Sequence, residues 1–232
     1  NINLFTPNGQ FGTRLQGGKD SASERYIFTQ LNKITRMIYN VQDDPILKYL
    51  DDDGLPVEPE YYVPILPTIL INGSKGIGTG YSSDIPMYNP LDLIKSIKTL
   101  LQDKEPETIH PWYYGFEGEI VKINDYQYLS KGKYNIINYK TVEVTELPIG
   151  TWTEDYKEYL ETLLVDYEKK KKKGSSKNTK NKGYLKNYQN HSTESKPHFI
   201  LEFKPDVLKK LNFSKENKDN HYSKLEKELK LV

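Results

Sequence analysis

The chain has 232 residues, a net charge of +1 and no cysteine, so disulfides and cysteine-ligated zinc are excluded. Charge is high and hydrophobic content low, yet 19 tyrosines, 7 phenylalanines and several apolar runs allow a core in one large domain or two small ones. The most apolar stretch, 61–71, is too short to cross a bilayer and contains Pro64 and Pro67, so a soluble intracellular chain is expected.

Taken in order, residues 1–22 are glycine-rich and read as loop or short strands. The opening Asn1-Ile2-Asn3-Leu4-Phe5 reads like the middle of a domain, so an excised fragment is expected. Ser23 is placed to cap a helix from about Arg25 to Tyr39, because Ile27, Leu31, Ile34 and Ile38 fall on one helical face. That puts Tyr26 in the first turn, where free N–H groups favour an anion. A short helix over 45–50, a turn at Asp51-Asp52-Asp53-Gly54 and an extended segment over 57–67 follow. Thr68-Ile69-Leu70-Ile71 reads as a buried strand or short apolar core segment. Asn72 to Gly80 is a glycine loop, and Asn89-Pro90 opens a helix to about Leu101.

From Gly118 to Leu147 the pattern turns to strands, at 119–123, 134–139 and 141–147. Thr153 is expected to cap a helix over 154–165. A strand at 198–203, a helix at 205–211 and a helical segment over 222–231 complete the reading. Between them, residues 169–196 carry ten lysines against one acid, Glu194. Such a segment cannot bury enough apolar surface to fold alone and reads as a disordered insertion; a DNA arm and a nuclear-import patch are the alternatives.

Four histidines show no metal-ligand spacing and read as surface residues. The acidic run Asp51-Asp52-Asp53 lies in a turn without an apolar strand before it, so turn chemistry is the expectation there. The chemistry concentrates at Gly9-Gln10-Phe11-Gly12-Thr13-Arg14-Leu15-Gln16-Gly17-Gly18-Lys19-Asp20-Ser21-Ala22-Ser23-Glu24-Arg25-Tyr26. Glycines admit close approach, cations attract phosphate, and a phenol can act as a nucleophile. A second constellation is Gly73-x-x-Gly76-Ile77-Gly78-x-Gly80. Its spacing fits neither a dinucleotide fingerprint nor a P-loop. Ile77 has little to pack against in its own loop, and an exposed branched side chain can wedge into a base step.

The segment from Gly9 to Leu31, with Gly-Gly-Lys-Asp and Arg-Tyr-Ile-Phe-Thr, resembles the active-site stretch of DNA topoisomerase II of the eukaryotic and viral type. Ile71-Asn72-Gly73-x-x-Gly76-Ile77-Gly78-Thr79-Gly80 resembles that family's wedge loop, and Glu146-Leu147-Pro148 with Thr151-Trp152-Thr153-x-x-Tyr156-Lys157-Glu158 resembles its tower. Gly150 departs from the family, where a basic residue is expected. The resemblance covers nearly all of 1–165 and resumes weakly at 197–232.

The resemblance implies an α+β fold: the C-terminal part of a winged-helix domain over 1–56, joined to a mixed α/β tower domain over 57–232. It implies that Tyr26 cleaves one DNA strand and holds the 5′ end as a phosphotyrosyl ester. An ordinary phenol, with a pKa near ~10, is protonated at neutral pH, so such a nucleophile needs activation. Arg25 then stabilises charge on the attacked phosphate, Lys19 and Arg14 hold flanking phosphates, and Ile77 enters bent DNA with Asn72, Lys75 and Thr79 on the backbone. The parent enzyme would be a nuclear, ATP-dependent homodimer using Mg2+. Its Glu-Gly-Asp metal motif is absent from this chain, so no metal or ATP site is expected here and the fragment alone should not cleave DNA. The rival reading is a noncatalytic DNA-bending module in which Tyr26 merely packs.

Overall fold

A computed structural model describes residues 1–164, 183–212 and 221–232. By their contacts the chain divides into two units, one joining 1–9 to 24–115 and the other joining 10–23 to 116–232.

In the first unit, strand β1 (Phe5–Asn8) pairs antiparallel with β2 (Phe28–Leu31), Phe5 opposite Leu31 and Asn8 opposite Phe28. This overturns the expected helix over 25–39. The spacing of Ile27, Leu31, Ile34 and Ile38 suits a helix, but Phe28-Thr29-Gln30-Leu31 also suits a strand, and β1 supplies the backbone partners. Only Thr35–Ile38 is helical, as α1 (Thr35–Ile38), and Tyr26 ends a single 3-10 turn, Glu24–Tyr26.

The expected helix at 45–50 is replaced by a 3-10 turn, Val41–Ile46, and by a hairpin of β3 (Tyr49–Asp52) and β4 (Leu55–Pro59). Its turn falls at Asp53-Gly54, with the Gly54 N–H donating to the Asp51 carboxylate at 2.9 Å. Thr68–Asn72 is a short helix, α2, rather than a strand; it buries Ile71, and its C-terminal Asn72 closes on the main chain of Ile2. The glycine segment forms a hairpin of β5 (Ser74–Ile77) and β6 (Ser82–Ile85). Helix α3 (Pro90–Leu100) starts where expected, Asn89 accepting from the Leu91 N–H at 2.9 Å.

The second unit carries the larger core. A hairpin of β7 (Glu119–Asn124) and β8 (Gln127–Lys131) precedes a four-stranded antiparallel sheet. Its order is β11 (Leu185–Asn190), β12 (Phe199–Phe203), β10 (Thr141–Glu146), β9 (Lys133–Asn138). Alternate residues of β10 and β12 are buried, among them Val142, Val144, Phe199, Leu201 and Phe203. Helix α4 (Thr153–Leu163) covers that face with Tyr156, Leu160 and Leu163. Each such fully buried aliphatic side chain contributes about 1.5–3 kcal/mol by leaving water. Helix α5 (Val207–Asn212) adds Leu208 and Leu211 to this core. Helix α6 (Lys224–Glu228) adds Leu225 and starts at a capping box of Ser223 and Glu226.

Two further expectations change here. Thr153 does not cap α4; its hydroxyl is buried without a hydrogen-bond partner among the described residues, and Trp152 is the cap residue. The segment 169–196 is not disordered throughout, since β11 lies within it. Leu185 buries completely and β12 supplies the ladder, which a lysine- and asparagine-rich composition concealed. The part of that expectation falling on 169–182 lies outside the described residues, as does the expected helix end at Val165.

Candidate nucleic-acid interface

The connection between β1 and β2, residues 9–27, carries the proposed nucleophile near its end. Gly9, the residue after β1, lies against Ile27 and the Tyr26 carbonyl at the mouth of that hairpin. A side chain at Gly9 would meet Ile27 Cγ2 at 3.0 Å and the Tyr26 carbonyl oxygen at 3.2 Å, and Gly9 has φ of 112°, which L side chains rarely adopt. Only a glycine at position 9 leaves the close approach to the Tyr26 carbonyl free, and the Tyr26 side chain projects, 68% exposed. The Arg25 guanidinium lies 5.9 Å from the centre of the Tyr26 ring, so a cation accompanies the phenol.

The wedge candidate sits at the tip of the β5–β6 hairpin. Ile77 is 95% exposed, paired with Ser82 at the last rung, and the Gly78 N–H donates to the Tyr81 carbonyl at 2.8 Å across the loop. Thr79 is exposed in the same loop. Lys75 reaches Asp84 at 3.4 Å with both side chains well exposed, a contact worth little in water. Asn72 is committed to structure. Its amide accepts the Ile2 N–H and donates to the Ile2 carbonyl, both at 2.9 Å.

Arg14 and Lys19 fall in the other unit, on the loop 10–23. The loop is internally clasped: the Asp20 carboxylate accepts both the N–H (2.9 Å) and the hydroxyl of Thr13. The hydroxyl bond and then the N–H bond hold the Asp20 carboxyl below its ordinary range. It is also docked on α4, whose first N–H groups go to loop carbonyls: Thr153 to Arg14 at 3.3 Å and Glu154 to Leu15 at 3.0 Å. This main-chain capping explains why the Thr153 hydroxyl is not needed as a cap. The Arg14 N–H donates to the Glu194 carbonyl at 3.0 Å, and Gly17 lies against the Trp152 indole. Lys19 is exposed.

The Arg14 side chain pairs with Glu146, and its Nη2 also lies 3.4 Å from the Leu147 carbonyl. Glu146, only 3% exposed, also accepts the Leu147 N–H at 2.8 Å and the Glu117 N–H at 3.1 Å. Sequence reasoning singled out no role for Glu146, but a signal was there. In the alternation Val142, Val144, Glu146 an acid occupies a core-facing position.

Among the described residues no group of three or more His, Asp or Glu side chains is arranged to hold a metal ion. No helix among them is long and apolar enough to cross a membrane.

The family model for DNA gyrase/topoisomerase IV, in its A-type subunit, matches residues 1–231. DNA topoisomerase 2 of Saccharomyces cerevisiae is 46% identical over 210 residues, covering 90% of this chain and 14% of that protein. DNA topoisomerase 2 of Plasmodium falciparum is 52% identical over 166 residues, covering 72% of this chain and 12% of that protein. A solved structure of the Plasmodium falciparum topoisomerase II DNA-binding, cleavage and re-ligation domain matches with a TM-score of 0.85 and 43% identity, over 100% of this chain and 29% of that one. The chain thus spans about 14% of the length of such relatives as the Saccharomyces cerevisiae protein.

Proposed function

The chain belongs to the DNA gyrase/topoisomerase IV family, and on that premise we propose that it is the tyrosine-bearing part of a type II DNA topoisomerase. In this reading residues 1–56 are the end of a winged-helix domain and 57–232 the tower. The observation that carries the proposal is the phenol of Tyr26, exposed beside the Arg25 guanidinium at the end of a 3-10 turn two residues before β2.

The proposed step is a transesterification. The Tyr26 oxygen forms a bond to a backbone phosphorus and loses its proton. The bond from that phosphorus to the 3′ oxygen breaks, and that oxygen takes up a proton to leave as a hydroxyl. The 5′ end stays on the protein as a phosphotyrosyl ester, and attack by the same 3′ hydroxyl reseals the strand. Arg25 neutralises charge that builds on the phosphate, where a preorganised donor is worth most. Lys19 contacts a flanking phosphate and orients the strand. Arg14, paired with Glu146, enters as the anchor of the Lys19 loop. Ile77 opens a base step with its branched side chain, while Lys75 and Thr79 lie along that hairpin's flank of the duplex and Asn72, bonded to Ile2, braces the chain just before the hairpin.

For a protein of the relatives' length we propose a nuclear homodimer acting on double-stranded DNA, with Mg2+ and ATP. The described residues do not fit a metal site, since Asp51, Asp52 and Asp53 run along a hairpin without a converging group. The residues above therefore bind and position, and metal chemistry is assigned to none of them. The test is Tyr26→Phe in a polypeptide of the relatives' length. Loss of covalent DNA capture with retained binding supports the proposal. Unchanged strand passage overturns it and leaves Ile77 as the centre of a DNA-bending module.

A further inference from the structure

Glu146 is a buried carboxylate that the proposed cleavage step does not use. Burying a charge is costly unless every acceptor is filled, and here the acceptors are filled by Arg14 Nη2, the Leu147 N–H and the Glu117 N–H. Of these partners only Arg14 lies in the loop 10–23. The same loop meets α4 through the Arg14 and Leu15 carbonyls and lays Gly17 on Trp152. It closes on itself through Thr13 and Asp20, leaving Lys19 exposed.

We propose that Glu146 is a positioning residue for strand cleavage: through Arg14 it fixes the loop 10–23 that presents Lys19 to a phosphate of the cleaved strand. This rests on the reading of Tyr26 as the nucleophile. The reason for a carboxylate is that it offers two acceptor oxygens and no donor to the three donors that meet it. A neutral amide at the same place offers one oxygen and one NH2, so either Arg14 or the Glu117 N–H faces another donor and the loop anchor loosens. A displacement of about 1 Å in a positioned group costs on the order of a hundredfold in rate.

The experiment uses a polypeptide of the relatives' length with Mg2+ and a cleavable duplex, under single-turnover conditions. Glu146→Gln is expected to slow covalent capture on the order of a hundredfold per folded molecule, with DNA affinity changed far less. Arg14→Met should slow capture by a similar factor, and the double variant should be no slower than either single one, because the two act through one contact. A purely structural role lowers the melting temperature and active fraction but leaves the capture rate per folded molecule unchanged, and that outcome overturns the proposal. Should Glu146→Gln fail to fold, Gly17→Ala tests the same docking from the Trp152 side, and an unchanged rate there overturns the proposal equally. Tyr26→Phe is run in parallel. If it still captures DNA, the nucleophile reading fails; if it does not while Glu146→Gln captures at full rate, only the positioning role falls.

Discussion

Gly17 lies so close to Trp152 that a methyl group on it would stand 2.1 Å from Cε2 of the indole. Its φ of 62° is one that L side chains rarely adopt. Gly17→Ala therefore combines a left-handed penalty of about 1–2 kcal/mol with overpacking of about 1–3 kcal/mol. A loss of roughly 2–5 kcal/mol is expected in urea denaturation of this chain. A loss below about 0.5 kcal/mol, the range of ordinary surface substitutions, would mean that the loop is not seated on the indole.

Ile77 should contribute nothing to stability, because it is 95% exposed. Ile77→Ala is expected to change unfolding free energy by less than about 0.5 kcal/mol. It should nevertheless reduce the bend angle of bound duplex, read by energy transfer between end-labelled DNA dyes. An unaltered bend angle with intact binding removes Ile77 from the interface.

The Tyr156 hydroxyl is buried without a hydrogen-bond partner among the described residues, and burial pushes its ionisation upward. A buried unsatisfied polar group costs about 1–3 kcal/mol. Tyr156→Phe keeps the ring packed edge-on against Phe199, 5.3 Å between centroids, and removes that cost. The melting temperature of this variant should stay level or rise. A clear fall would show that the hydroxyl has a partner, such as an internal water.

Acid should open the loop at Asp20. Its carboxyl is held below the ordinary value of 3.8 by the two Thr13 bonds. A lowered folded-state pKa means that the unfolded chain binds the proton more tightly. The stabilising contribution is thus complete above pH 3.8 and is lost as pH falls below it through the lowered value. The Thr13 amide resonance should therefore titrate with a midpoint below pH 3.8, and a midpoint at or above that value contradicts the clasp.

What the sequence disclosed depended on range. Helix α3 was readable because Asn89-Pro90 and the following leucine and isoleucine spacing act locally. Strands β10 and β12 were readable because their alternation is strict. Ile77 was readable as exposed because its neighbours are glycines. The backbone around Tyr26 was not, since Ile27, Leu31, Ile34 and Ile38 suit a helix and only pairing with Phe5–Asn8 selects the strand. The Arg14–Glu146 pair spans 132 positions, so no local pattern announces it, although an acid at a core-facing position hinted that a partner must exist. Thr153 misled because its local signature is that of a cap, while the loop main chain takes the helix N–H groups instead.

If Tyr26 is the nucleophile, one phenol alone forms the bond to DNA. The most direct test is to trap the protein–DNA adduct in a polypeptide of the relatives' length, digest both components and locate the residual nucleotide by mass spectrometry. A 5′-linked nucleotide is expected on Tyr26 and on none of the other 18 of this chain's 19 tyrosines. An adduct on a different residue, or a 3′ linkage, contradicts that reading.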